Sequence, residues 1–136
     1  MYTFRYSFRI RYADTDQMGY AYYGNYARYY EIGRVETIRS LGFSYRDFET
    51  ELGIMLPVLN LESRFLKPAF YDDLLTIETK IIELPTKMIT FHHNIYNTNE
   101  ELINYGVIKL FFVDMSNNKR VSAPELLTSK LKPYFD

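Results

Sequence analysis

From Ile54 to Asp114 the sequence keeps to strand patterns in four successive runs, at 54–67, 74–84, 87–96 and 101–114, with no helical period between them. Parallel neighbours need a crossover of a dozen or more residues, usually a helix, so strands joined this closely pair antiparallel. Leu75, Ile77, Thr79 and Ile81 alternate onto one face of the second run, and Ile89, Phe91, His93 and Ile95 do the same in the third. Such period-two runs mark half-buried strands. A further strand leads the chain, because Tyr2, Phe4, Tyr6, Phe8, Ile10 and Tyr12 alternate with Thr3, Arg5, Ser7, Arg9 and Arg11.

One long stretch has a different period. After an irregular turn at 13–21 (ADTDQMGYA), residues Tyr22, Tyr26, Tyr29, Tyr30 and Gly33 follow a helical stripe, and Ile32, Val35 and Ile38 widen it. A helix over 22–41 with that much apolar surface is expected to be enclosed. Gly42 is a natural stop, and Ser44 caps a short helix over 45–51 that ends at Gly53. Near the end, MSNNKR reads as a turn, and Ser122, Pro124 and Glu125 as a cap, an early-helix proline and a first-turn acid opening a last helix to about Lys132. The expectation is one α+β domain over 1–136, an antiparallel sheet of about five strands wrapped around a long central helix. Such a sheet keeps an exposed edge unless a second chain pairs with it, and dimerisation is a common remedy.

Composition narrows the function. At 47% apolar and 24% charged residues the chain resembles ordinary folded proteins, while 18% aromatic residues, fourteen of them Tyr, stand out. A buried Tyr must find a hydroxyl partner, so many of these rings are expected at a cleft or interface. A formal net charge of −1 gives no field to draw nucleic acid or an anionic membrane. The absence of cysteine excludes disulfides and thiolate chemistry. The N-terminus MYTFRYSFRIRY is too charged for a signal peptide, and no run approaches membrane-spanning length, so a cytoplasmic location is expected.

Asp14 and Asp16 lie between the first strand and the helix. Turn chemistry accounts for Asp14, since Asp bonds its own backbone in turns. Asp16 has a second reading as a catalytic carboxylate beside the helix start, where unpaired N–H groups and partial positive charge would stabilise a carbonyl oxygen gaining negative charge. Gly24 and Asn25 would let a ligand approach that backbone. His92 and His93 adjoin in a strand and face opposite ways, so they cannot share a metal. No G-x-S-x-G elbow, G-x-G-x-x-G or phosphate loop is present. Arg64, Lys67, Lys109, Lys119 and Arg120 are scattered and read as solvated charges, with contact to phosphate as the rival reading.

The stretch RYADTDQMGYAYYGNYARYYEIGR resembles the 4-hydroxybenzoyl-CoA type of acyl-CoA thioesterase, within the hotdog-fold superfamily, whose signature joins D-x-D-x-x-G to an aromatic-rich helix ending in Arg. RFLKPAFYDDLLTIETKI and GVIKLFFVDMSNNKRVSAPELL resemble the later strands and closing helix of the same family. The resemblance implies the hotdog fold, dimers that join two sheets edge to edge, and active sites at the dimer interface; the expected assembly is a homodimer or homotetramer. It implies Asp16 as the catalytic carboxylate, the backbone N–H of Tyr23, with Gly24 beside it, as the oxyanion site, and no metal or cofactor. Tyr26 and its neighbours Tyr22 and Tyr30 are candidates for the acyl pocket or for the core. The family's H-x-x-Y pattern is Tyr23-Gly-Asn-Tyr26 here, which removes an imidazole and keeps the backbone donor. The implied reaction is hydrolysis of an acyl-CoA, or of an acyl-carrier-protein thioester. The rival readings are a non-catalytic hotdog acyl-CoA-binding or interaction module, a hydratase of the same superfamily, and a Tyr-rich single-strand nucleic-acid binder, which the net acidity weakens.

Overall fold

The computed structural model describes residues 1–135; Asp136, the last residue of the expected domain, lies outside them. Seven strands form the sheet: β1 (Tyr2–Arg9), β2 (Ile54–Met55), β3 (Val58–Phe65), β4 (Leu74–Ile81), β5 (Met88–Tyr96), β6 (Leu102–Asp114) and β7 (Lys119–Val121). Every pairing is antiparallel, as closely joined strands require. The order runs β1–β4–β5–β6, with β3 along one part of β6 and the short β2 and β7 pairing with its end. The five expected strands are thus present. The run at 54–67 divides at Leu56 and Pro57 into β2 and β3, because proline interrupts a ladder, and the turn after β6 returns as the small β7.

The central helix is α1 (Tyr26–Ser40), and it buries Tyr26, Tyr29, Tyr30, Gly33, Thr37 and Ile38 against the concave face of the sheet. That face is supplied by the alternating side chains expected of β4 and β5, Leu75, Ile77, Thr79 and Ile81 with Ile89, Phe91, His93 and Ile95, all of them buried. Gly33 permits the close approach, since a Cβ there would lie 2.7 Å from Thr79 Oγ1 and 2.8 Å from Ile77 Cδ1. Tyr30 spends its hydroxyl inside the core, 2.5 Å from Ser63 Oγ and bonded to Asn104 Oδ1, so it is a packing residue.

Three boundaries depart from expectation. β1 stops at Arg9, and Tyr12, expected on its buried face, is 79% exposed in the turn beyond it. The helix begins as a tight turn over Tyr23–Asn25 before α1 proper, so its first α-helical residue is Tyr26 and not Tyr22. Ser122 does not cap the last helix, α3 (Glu125–Leu131); Pro124 stands at its N-cap and no side chain bonds there. Ser44 does cap α2 (Tyr45–Asp47), its Oγ accepting the Asp47 amide at 3.2 Å, and the helix widens over Phe48–Leu52 before Gly53 ends it at φ 65°.

Candidate active site

The site begins where the chain leaves the sheet after β1. Asp14 is buried in the turn at Tyr12–Asp14, and every oxygen it has is engaged. One carboxylate oxygen accepts the Arg11 amide at 2.9 Å, the other pairs with Arg28, and its carbonyl accepts the Tyr22 amide and Asn25 Nδ2, each at 2.8 Å. Asp14 therefore anchors the start of the helix to the end of the strand, the turn role read from its position.

Asp16 occupies the next turn. Gly19, at φ 80°, reverses the chain so that its amide reaches the Asp16 carbonyl at 3.0 Å, a backbone shape that glycine adopts without strain. Asp16 Oδ1 accepts the amides of Met18 at 2.9 Å and Tyr20 at 3.2 Å, while Oδ2 accepts no hydrogen bond among the described residues. One oxygen thus locks the carboxylate in place, and the other is available to a ligand or water. Turn chemistry and a reactive role are compatible because they use different oxygens.

Tyr22 is extended, at φ −62° and ψ 133°, and its amide is spent on Asp14. The amides of Tyr23 and Gly24 donate to no acceptor among the described residues, whereas that of Asn25 reaches the Tyr22 carbonyl at 2.9 Å. Two unpaired N–H groups therefore head the turn leading into α1, where partial positive charge accumulates.

Asp16, Tyr23 and Tyr26 meet in the wall of one cleft of about 300 Å³, together with Tyr20, Phe65 and Lys67. The Tyr26 and Tyr23 rings stand edge-on to Phe65, with centroids 5.0 Å and 6.3 Å away. Burial, then the nearby Tyr30, pushes the Tyr26 phenol up to about 12, so it remains a protonated donor at neutral pH. Gly24 is at the helix start but not in the cleft wall, because the Tyr22 ring covers it: a Cβ on Gly24 would lie 2.6 Å from Tyr22 Cε2. Tyr22 likewise stands outside the wall.

Phe65 and Lys67 belong to the cleft without having been singled out for it. Their signal was present in RFLKPAF, which reads only as a strand end until the fold brings the tip of β3 against Tyr23 and Tyr26. Lys67 is held there by an ion pair with Glu101. The two histidines diverge as expected: His92 faces the outer surface, whereas His93 is buried with Nδ1 2.9 Å from Thr79 Oγ1. Burial, helped by the charge of Arg34, lowers the His93 pKa to about 3, so the ring is neutral.

Comparisons with known proteins agree with this architecture. Residues 18–104 match the family described as the Thioesterase superfamily, a span that begins just past Asp16. The chain is 37% identical over 93 residues to the putative acyl-CoA thioesterase YneP of Bacillus subtilis, covering 68% of this chain and 67% of its relative. It is 29% identical over 129 residues to the acyl-CoA thioester hydrolase YbgC of Escherichia coli O6:H1, covering 95% of this chain and 96% of that one. Among solved structures, a DHNA-CoA thioesterase from Staphylococcus aureus superposes with a TM-score of 0.85 at 31% identity, covering 99% of this chain and 85% of the other. On the strength of the matched span and these relatives, the chain belongs to the Thioesterase superfamily and has its hotdog fold.

Proposed function

We propose that the protein hydrolyses acyl-CoA thioesters, with Asp16 as the reacting carboxylate and the backbone N–H of Tyr23 as the oxyanion donor. The observation that carries this reading is that Asp16, whose Oδ2 accepts no hydrogen bond among the described residues, and Tyr23, whose amide is unpaired there, line the same cleft. A thioester carbonyl directed at the Tyr23 amide would gain its negative charge where a fixed donor already points. Asp16 then acts in one of two ways. As a base it takes a proton from water, whose oxygen adds to the carbonyl carbon; as a nucleophile it adds directly, expelling the thiolate and leaving an anhydride that water opens. Both routes consume one water and yield a free acid and a thiol. Phe65 and Tyr26 offer apolar surface to the acyl group, and Tyr23 stands where the family's H-x-x-Y pattern has an imidazole, so the proposed route uses its backbone N–H and no imidazole.

The strand β3 supports a dimer. Among the described residues it pairs only with β6, and Val58, Leu59, Leu61 and Phe65 are each 41–50% exposed along it. Pairing with a second copy would cover both its free N–H and C=O groups and these side chains. Because Phe65 closes the cleft, a partner on that edge would also complete the acyl pocket.

The decisive test is thiol release from a panel of aromatic, short-chain and long-chain acyl-CoAs by the wild type and Asp16→Asn. Turnover by the wild type and its loss in the variant are expected. Acyl-CoA binding without thiol release would establish the non-catalytic reading instead. Acyl-carrier-protein thioesters present the same phosphopantetheine arm, and including them in the panel ranks the two carriers.

A further inference from the structure

Asn25 stands at the head of α1 with helical backbone angles, φ −77° and ψ −15°, and its side chain caps none of the helix's amides. Asparagine at a helix start ordinarily accepts a helix amide through its side-chain oxygen. Here the side chain turns back along the chain: its Nδ2 donates to the Asp14 carbonyl at 2.8 Å, the same oxygen that accepts the Tyr22 amide at 2.8 Å. That acceptor is itself held, because Asp14 is buried and its carboxylate is bonded to the Arg11 amide and to Arg28.

The bond joins two units that each carry half of the proposed site. Residues 14–22 form a small hairpin, in which Thr15 bridges Ala21, the Asp16 amide donates to the Tyr20 carbonyl at 2.9 Å and the Tyr22 amide closes on Asp14. Asp16 rides on this hairpin. The turn Tyr23–Asn25 and α1 form the other unit, headed by the unpaired amide of Tyr23. The backbone passes between them through Tyr22, extended at φ −62° and ψ 133°, and rotation about that ψ would redirect the Tyr23 N–H relative to Asp16. Helix packing places the turn, but a reacting donor must be held within about 0.5 Å by bonds of its supporting groups. Two side chains of the second unit reach back to the first. Arg28 does so through a long and largely exposed arm, whereas Asn25 has two side-chain torsions and lies two residues from Tyr23, so it fixes the geometry more tightly.

We infer that Asn25 is a positioning residue: its side-chain amide holds the Tyr22 hinge and so fixes the direction of the Tyr23 N–H relative to Asp16. It needs no contact with substrate to do this. The consequence for turnover rests on the hydrolytic reading, and the clamp itself does not.

Thiol release from acyl-CoA by the full-length protein carrying Asn25→Ala and Tyr23→Pro, singly and combined, tests the inference. Asn25→Ala is expected to lower kcat by about tenfold to a hundredfold, the cost of a displaced reacting geometry, with KM within about twofold. In the Tyr23→Pro background there is no N–H at 23 to misdirect, and Asn25→Ala should cost less than about twofold. A merely structural loss lowers activity by the same factor in both backgrounds; that result, or an unchanged kcat in Asn25→Ala, overturns the inference. Amide hydrogen exchange followed by NMR reads the clamp without chemistry. Asn25→Ala should speed exchange at Tyr22, whose bond shares the clamp's acceptor, by about tenfold or more while the amides of β4 and β5 exchange as in the wild type. Unchanged exchange at Tyr22, or a rise shared by β4 and β5, removes the clamp. If the wild type releases no thiol, the hydrolytic reading falls alone, and exchange at Tyr22 still decides the clamp.

Discussion

Asp16 divides its work between two oxygens, and that division makes its substitution informative. Asn at 16 keeps an oxygen to accept the Met18 and Tyr20 amides, so the turn survives while the negative charge is lost. Asp16→Asn is expected to lower kcat by about 10²–10⁴-fold, the range for a general base, with thermal melting nearly unchanged, both measurable on one preparation. The helix start can be probed through the backbone. Tyr22 already has the extended geometry a following proline demands, and Tyr23 is the first residue of its turn, where proline is well tolerated. Tyr23→Pro therefore deletes one N–H with little change of fold, and a loss of about 10²–10³ in kcat is expected in the thiol-release assay. Tyr23→Phe, which keeps that N–H, should retain activity within about twofold if the backbone is the donor. Wild-type activity in both Asp16→Asn and Tyr23→Pro would mean that neither group takes part.

At the level of elements, the contact between α1 and β4 decides how tightly the helix is enclosed. Gly33→Ala pushes a methyl group against Thr79 Oγ1 and Ile77 Cδ1, and should destabilise the protein by about 1–3 kcal/mol in urea unfolding, the usual cost of overpacking. Between β4 and β5, His93 is held neutral with its pKa lowered to about 3. The unfolded chain protonates this ring near pH 6.5, so its contribution to stability is complete above that pH and erodes as pH falls toward 3. Each pH unit within that window costs up to about 1.4 kcal/mol from this one group. His93→Gln should flatten the dependence of the urea midpoint between pH 6 and pH 4.5; an unchanged slope would assign the acid sensitivity to other groups.

At the scale of the whole molecule, the proposed dimer rests on β3. A charge on its exposed apolar face, as in Leu61→Lys, should convert a dimer to a monomer in sedimentation and reduce turnover with it, because the same strand ends at Phe65 in the cleft wall. A dimer that survives the substitution would move the interface elsewhere. The sheet, the enclosed helix and the buried faces of β4 and β5 were legible in the sequence, since period two and period 3.6 are imposed by local backbone geometry and need no knowledge of distant residues. The D-x-x-G turn at Asp16 was legible for the same reason. What local pattern could not reveal is which distant side chains meet: Phe65 and Lys67 join Asp16 and Tyr23 only once the end of β3 lies beside the helix start. Tyr30 left the pocket for the core because Ser63 and Asn104 offered its hydroxyl partners on β3 and β6. Secondary structure followed from neighbours along the chain, and the cleft at Asp16 from contacts that exist only after the sheet has curled around its helix.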